Sequence, residues 1–148
     1  MDDPALDLTP LTRPLITDGI TRGAARLLGA LGYAAAAEVG LPNGRRADLI
    51  ALGPKGQVII VEVKSGLKDF RSDLKWHEYR PFCDLFYFAV APEFPQTVLP
   101  SEPGLIVADG FGGGVVREAE SVPLAPARRK ALTLAFARLC AFRAASAA

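Results

Sequence analysis

From Val58 to Val63 every residue is β-branched and apolar except Glu62. That is the pattern of a central strand covered on both faces. A companion strand, Arg45-Arg46-Ala47-Asp48-Leu49-Ile50-Ala51-Leu52, precedes it across Gly53-Pro54-Lys55-Gly56. Upstream, Thr17 or Asp18 caps a helix whose apolar positions Ile20, Ala24, Leu27, Leu28 and Leu31 recur at helical spacing until Gly32. An alanine-rich strand is predicted over 33–39, followed by the turn Gly40-Leu41-Pro42-Asn43-Gly44. Leu67, Phe70 and Leu74 form an apolar stripe that predicts a helix over 67–79. Strands follow over 84–90 and 104–108, with a short edge strand at Val115-Val116 and a last helix over 125–143. Gly110 to Gly114 precedes a strand, so it reads as a hairpin turn and not as a phosphate loop, which would open a helix. Residues 1–16, rich in Pro and Asp, read as a loose arm, which leaves 17–148 as one domain. The element order predicts an α/β fold around a small mixed sheet flanked by helices.

The turn between the two central strands decides which side chains meet. A four-residue loop over 53–56 would set Asp48 opposite Val61, with its side chain on the wrong face. Pro54-Lys55-Gly56 suits a shorter loop, a type I turn with Pro first and Gly in the left-handed region as a bulge. In that register Gly53 faces Gln57 and Asp48 faces Glu62. Alternation then puts Glu62 and Lys64 on one face, together with Arg46, Asp48 and Ile50. Two carboxylates buried there without a partner would cost several kcal/mol or take up protons.

Composition narrows the function classes only slightly. The 148 residues, half of them hydrophobic, suffice for one domain with a real core. The net charge of +1 excludes neither nucleic acid nor small substrates, but it is unevenly placed. Asp2, Asp3 and Asp7 lie in the first nine residues, whereas 125–148 hold Arg128, Arg129, Lys130, Arg138 and Arg143 and no acid. This asymmetry fits either a polyanion partner or a solvated basic helix face. Cys83 and Cys140 lie in apolar surroundings without metal-type spacing, as reduced buried thiols do. No signal peptide or membrane-length apolar stretch is visible, so a soluble cytoplasmic protein is expected, without membrane partners.

Asp48, Glu62 and the Val63 backbone carbonyl offer hard oxygen ligands for magnesium or manganese, ions that keep several waters. Lys64 beside them can hold or deprotonate a water and stabilise charge on a phosphate. Metal-assisted phosphodiester hydrolysis is the reaction this group fits. On the next helix Lys68, Arg71 and Lys75 fall along one edge, suited to a phosphate backbone, with Arg128 and Arg129 as weaker candidates. Trp76 is assigned to packing ahead of base stacking, and the lone histidine, His77, to packing ahead of a ligand role. The bland alternative is that Asp48 and Glu62 form structural ion pairs with Arg46 and Lys64.

Asp48 followed by Glu62-x-Lys64 on the next strand, inside this element order, resembles the PD-(D/E)xK nuclease superfamily. The wider blocks resemble the MmcB-type DNA repair proteins of bacteria. These blocks are Gly44-Arg45-Arg46-Ala47-Asp48, Ile60-Val61-Glu62-Val63-Lys64-Ser65, residues 69–76, Phe86-Tyr87-Phe88-Ala89-Val90, Gly104-Leu105-Ile106-Val107 and residues 127–131. The resemblance implies a restriction-endonuclease-like core, Asp48 and Glu62 as metal ligands, and Lys64 as catalytic base or electrostatic partner. It implies a magnesium-dependent endonuclease acting on DNA in repair. Many nucleases of that superfamily carry a further Glu in the first helix. Here Asp18 is the only acid from Asp18 to Gly32, and Glu38 is the candidate substitute. A catalytically silent DNA-binding or scaffold protein of the same shape therefore stays open, as does an RNA-processing nuclease. A homodimer, or association with other repair proteins, is compatible with cutting two strands.

Overall fold

The computed structural model of the chain describes residues 13–67 and 75–147. Helix α1 spans Arg13–Ala30 and is followed by strands β1 (Ala34–Gly40), β2 (Arg46–Leu52) and β3 (Val58–Lys64). Two 3-10 turns, Trp76–Glu78 and Arg80–Phe82, lead into β4 (Leu85–Val90). A third such turn at Gln96–Val98 precedes β5 (Gly104–Ala108), β6 (Gly113–Arg117) and helix α2 (Pro126–Ala147). The six strands form one mixed sheet in the order β1-β2-β3-β4-β5-β6. β1 to β3 form an antiparallel meander, β3, β4 and β5 are parallel, and β6 returns antiparallel to β5. This is the α/β sheet with flanking helices that the hydrophobic pattern predicts.

Every residue of β3 is buried, including Glu62 and Lys64, because both faces of the sheet are covered. On one face Ile20, Ala24 and Leu28 of α1 pack against Leu49, Ala51, Ile59, Val61 and Ile106. Gly23 lets α1 approach the β5–β6 hairpin closely, since a Cβ there would stand 2.0 Å from the Asp109 carbonyl oxygen. On the other face Phe136 of α2 joins Ile50, Val58 and Ile60, while Trp76, Tyr79 and Phe82 cover Phe86 and Phe88.

Two boundaries differ from the sequence reading. α1 begins at Arg13, within the span expected to be a loose arm, because Pro14 is tolerated in a first helical turn. Residues 1–12 lie outside the described residues. The helix expected over 67–79 falls mostly on 68–74, also outside them, and its end is corrected: Trp76–Glu78 is a 3-10 turn. The buried residues Trp76, Tyr79 and Phe82 recur every third position, matching three residues per turn. Pro81 then sits early in the second of these turns.

Candidate functional site

The hairpin register is set by the turn. Gly56 N–H donates to the Gly53 carbonyl (3.0 Å), closing a turn with Pro54 in its second position, and Gly56 adopts φ +84°. Gly53 N–H donates to the Gln57 carbonyl (2.8 Å), so Gly53 faces Gln57 as the turn chemistry predicts. Pairing continues through Leu52↔Val58, Ile50↔Ile60 and Leu49↔Val61. Asp48 and Glu62 come next, and there the backbone ladder stops. Side chains take over: Asp48 N–H donates to Glu62 Oε1 (2.9 Å), and Val63 N–H donates to Asp48 Oδ2 (2.7 Å).

β1 and β2 also exchange faces at this point. Ile50 faces the α2 side and Leu49 and Ala51 the α1 side, but beyond Asp48 it is Ala47 that joins the α2-side cluster. On β1 the same side receives Ala36 before the switch and Val39 and Leu41 after it. Strict alternation fails here, so Arg46 does not share the face of Ile50. Glu38 stands opposite Asp48 in the β1–β2 register, and this pair is missing from a ladder that runs from Ala34↔Leu52 to Gly40↔Arg46. Glu38 has φ +52°, the left-handed region that non-glycine residues rarely occupy. Among the described residues no other non-glycine does so.

Electrostatics follow from burial. Glu62 is 6% exposed and Lys64 8%, while Asp48 is half-buried. Loss of solvent, and then the charge of Asp48, push the Glu62 pKa up to about 8. Asp48 is raised as well, by burial, although the Val63 N–H and the charges of Lys64 and Arg46 pull the other way. The two carboxyl groups also act on each other's protonation. Such a pair holds a shared proton or gives it up to a cation.

Those residues fit a small divalent ion. Two desolvated carboxylates converge, and the backbone between Glu62 and Lys64 contributes a third oxygen. N–H and C=O of a strand residue point to the same side, so the Val63 carbonyl is directed where its N–H meets Asp48, past the end of the ladder. Two carboxylates and one carbonyl leave the water positions that magnesium keeps. Among the described residues no third acid completes a metal-type cluster. Glu38 is exposed, and its carboxylate stands 4.0 Å from the Arg46 guanidinium.

The expected phosphate-binding residues are differently placed. Lys68 and Arg71 lie outside the described residues, and Lys75 is exposed just before the Trp76 turn. Arg128 is exposed, donates to the Pro81 carbonyl (3.1 Å) and lies over the Phe82 ring. Arg129 is occupied elsewhere: its guanidinium grips Asp84 through two bonds and also reaches the Gly56 carbonyl (2.8 Å). Trp76 is buried against Phe86 and Phe88, and His77 is exposed and stacks on Trp76. Cys83 is fully buried, and loss of solvent pushes its thiol up to about 12, so it is inert.

Two residues escape sequence reasoning. Asp84, at the head of β4, accepts from Val58 N–H (2.8 Å) and Leu124 N–H (2.9 Å) as well as from Arg129. An acid at the entry to an apolar strand was the available signal. Arg143 near the end of α2 donates to the carbonyls of Ala37 (2.5 Å) and Glu38 (2.7 Å), and the sequence marks it only as one of the basic residues of the last helix.

No helix among the described residues is long and apolar enough to cross a membrane. No curated protein matches the chain. Among solved structures it is similar to the SPO1766 protein of unknown function from Silicibacter pomeroyi, at 42% identity and a TM-score of 0.83. That match covers 93% of this chain and 90% of the other. A family model described as DNA repair protein MmcB-like matches residues 12–148, and with nearly the whole length covered the chain belongs to the MmcB-like family of DNA repair proteins.

Proposed function

We propose that this protein is a magnesium- or manganese-dependent DNA endonuclease of the PD-(D/E)xK type, with Asp48, Glu62 and Lys64 as its working residues. The observation that carries the reading is the meeting of two desolvated carboxylates where the β2–β3 ladder opens, with the buried Lys64 two residues along β3. Asp48, Glu62 and the Val63 carbonyl would hold the ion. Its chemistry, when bound, is to acidify a water and offset charge on the phosphodiester. Asp48 and Glu62 are oriented for this before any ligand arrives, because each is bonded to a backbone N–H of the facing strand. Lys64 sets a positive charge beside them, where it orients the attacking water and stabilises the phosphate as it gains charge. Lys75 and Arg128, with Lys68 and Arg71, are proposed to contact the phosphate backbone.

The family supports DNA as the partner. Purified protein incubated with labelled single-stranded, duplex and branched DNA should cut at least one of them with magnesium or manganese, and Glu62→Ala should abolish the cut. One observation favours a second reading, that of a silent DNA-binding protein: no third acid joins the pair among the described residues. DNA binding without cleavage under either ion would establish that reading instead.

A further inference from the structure

A bond swap links the far end of α2 to Asp48. Antiparallel strands alternate between pairs that exchange both backbone bonds and pairs that exchange none. Gly53 bonds Gln57 across the β2–β3 hairpin, so the backbone groups of the odd-numbered residues from Leu49 to Gly53 point toward β3 and those of the even-numbered ones toward β1. In an unbroken ladder Asp48 N–H would therefore donate to the Glu38 carbonyl. It donates to Glu62 Oε1 instead, and the Glu38 carbonyl accepts from Arg143 Nη2. Arg143 Nη1 takes the neighbouring Ala37 carbonyl. One guanidinium thus spans the two carbonyls preceding and following the Glu38 φ of +52°.

We infer that Arg143 is a positioning residue for the Asp48–Glu62 pair: by gripping the β1 kink it releases Asp48 N–H to orient the Glu62 carboxylate. The inference rests on that pair being the functional site, but its physical content concerns the backbone alone. A non-glycine residue held at positive φ costs energy and persists only where its surroundings impose it. The planar, two-pronged guanidinium is suited to impose it, whereas a lysine supplies a point charge. Elsewhere α2 packs on this side of the sheet through Leu132, Phe136 and Leu139. A cavity of about 180 Å³ lies between the helix and the sheet, lined by Val39, Leu41, Ile50, Phe136 and Leu139 among others.

The test follows backbone amides by NMR and hydrogen exchange, with Ile60 in mid-strand as internal reference. In Arg143→Met the Asp48 amide should lose its bond to the Glu62 carboxyl group, move upfield and exchange about tenfold faster, while Ile60 is unchanged. Adding Glu38→Gly should restore the Asp48 resonance, because glycine occupies positive φ without a clamp. Glu38→Val, in which a β-branched side chain resists positive φ, should reproduce the Arg143→Met shift with Arg143 intact. A folded Arg143→Met protein with an unmoved Asp48 amide overturns the inference, as does a double variant that stays shifted. If Arg143→Met does not fold, Arg143→Lys, which puts a point charge in place of the two-pronged guanidinium, decides in the same way. DNA cleavage, measured alongside, should fall and recover with the amide. A wild-type protein that cuts nothing would remove the nuclease reading and leave the amide result to judge Arg143.

Discussion

Asp84 and Arg129 form a two-pronged ion pair, with Nη1–Oδ2 at 2.7 Å and Nη2–Oδ1 at 2.6 Å, that ties the start of α2 to the head of β4. The same carboxylate holds Val58 and Leu124 by their backbone N–H groups, so four donors converge on one buried acid. Arg129 is thereby a fixture of the fold.

Asp84 should make the protein acid-sensitive. Burial alone would raise its pKa, but the Arg129 and backbone hydrogen bonds outweigh it and bring the pKa down to about 2, from an ordinary 3.8. A depressed pKa means stability that is present above the ordinary value and lost as pH falls through the folded one. Urea midpoints should therefore drop by the equivalent of about 2 kcal/mol between roughly pH 4 and pH 2, and Asp84→Asn should flatten that fall. Arg129→Met should cost about 2 kcal/mol at neutral pH and leave DNA affinity unchanged in the folded protein. A matching loss of affinity would return Arg129 to the DNA surface.

Glu62 predicts the opposite slope. Its pKa is raised, so the folded protein keeps a proton that the unfolded chain sheds as pH passes the ordinary value of 4.5. Stability of the metal-free protein should decline as pH rises from there toward 8, and Glu62→Gln should remove the decline while raising the melting temperature at pH 8. Magnesium or manganese should stabilise the wild type at that pH and leave Glu62→Gln unaffected. Equal stabilisation of both would place any ion elsewhere.

Lys64→Ala separates ion binding from chemistry. Manganese should still bind, as Asp48 and Glu62 are intact, while single-turnover cleavage slows about 100-fold or more. Loss of manganese binding with the fold intact would make Lys64 a structural counter-charge.

Phosphate contacts should show in salt dependence. Removing Lys75 should weaken DNA binding similarly across sequences and reduce the salt slope by about 1. Joint charge reversal at Lys68 and Lys75 that leaves affinity unchanged would mean this surface is merely solvated.

The hairpin register was legible because it is decided within a few residues: Pro54 presets one turn position, and Gly56 alone tolerates the φ it occupies. The Asp48–Glu62 approach follows from that register. The exchange of faces at Asp48 was not legible, since strict alternation from Arg46 to Ile50 is the expectation for any uninterrupted strand. Its origin is the kink at Glu38 and a guanidinium 105 residues further along the chain. The end of the helix expected over 67–79 was misread for another reason. The three-residue recurrence of Trp76, Tyr79 and Phe82 was present, but the apolar stripe starting at Leu67 suggested a longer period.

The short loop over Pro54-Lys55-Gly56 also bears on the order in which the molecule forms. Contacts between residues close in sequence are made early, whereas parallel pairing must first close a long loop. β3 meets β2 across that tight turn but meets β4 only after a connection from Ser65 to Asp84. The meander that brings Asp48 to Glu62 can therefore assemble before β4 docks, and for that interval both carboxyl groups are still in water. The proton they retain is imposed late, when β4 docks beside Glu62, so the final folding step should take up protons near neutral pH and depend on pH more steeply than the first.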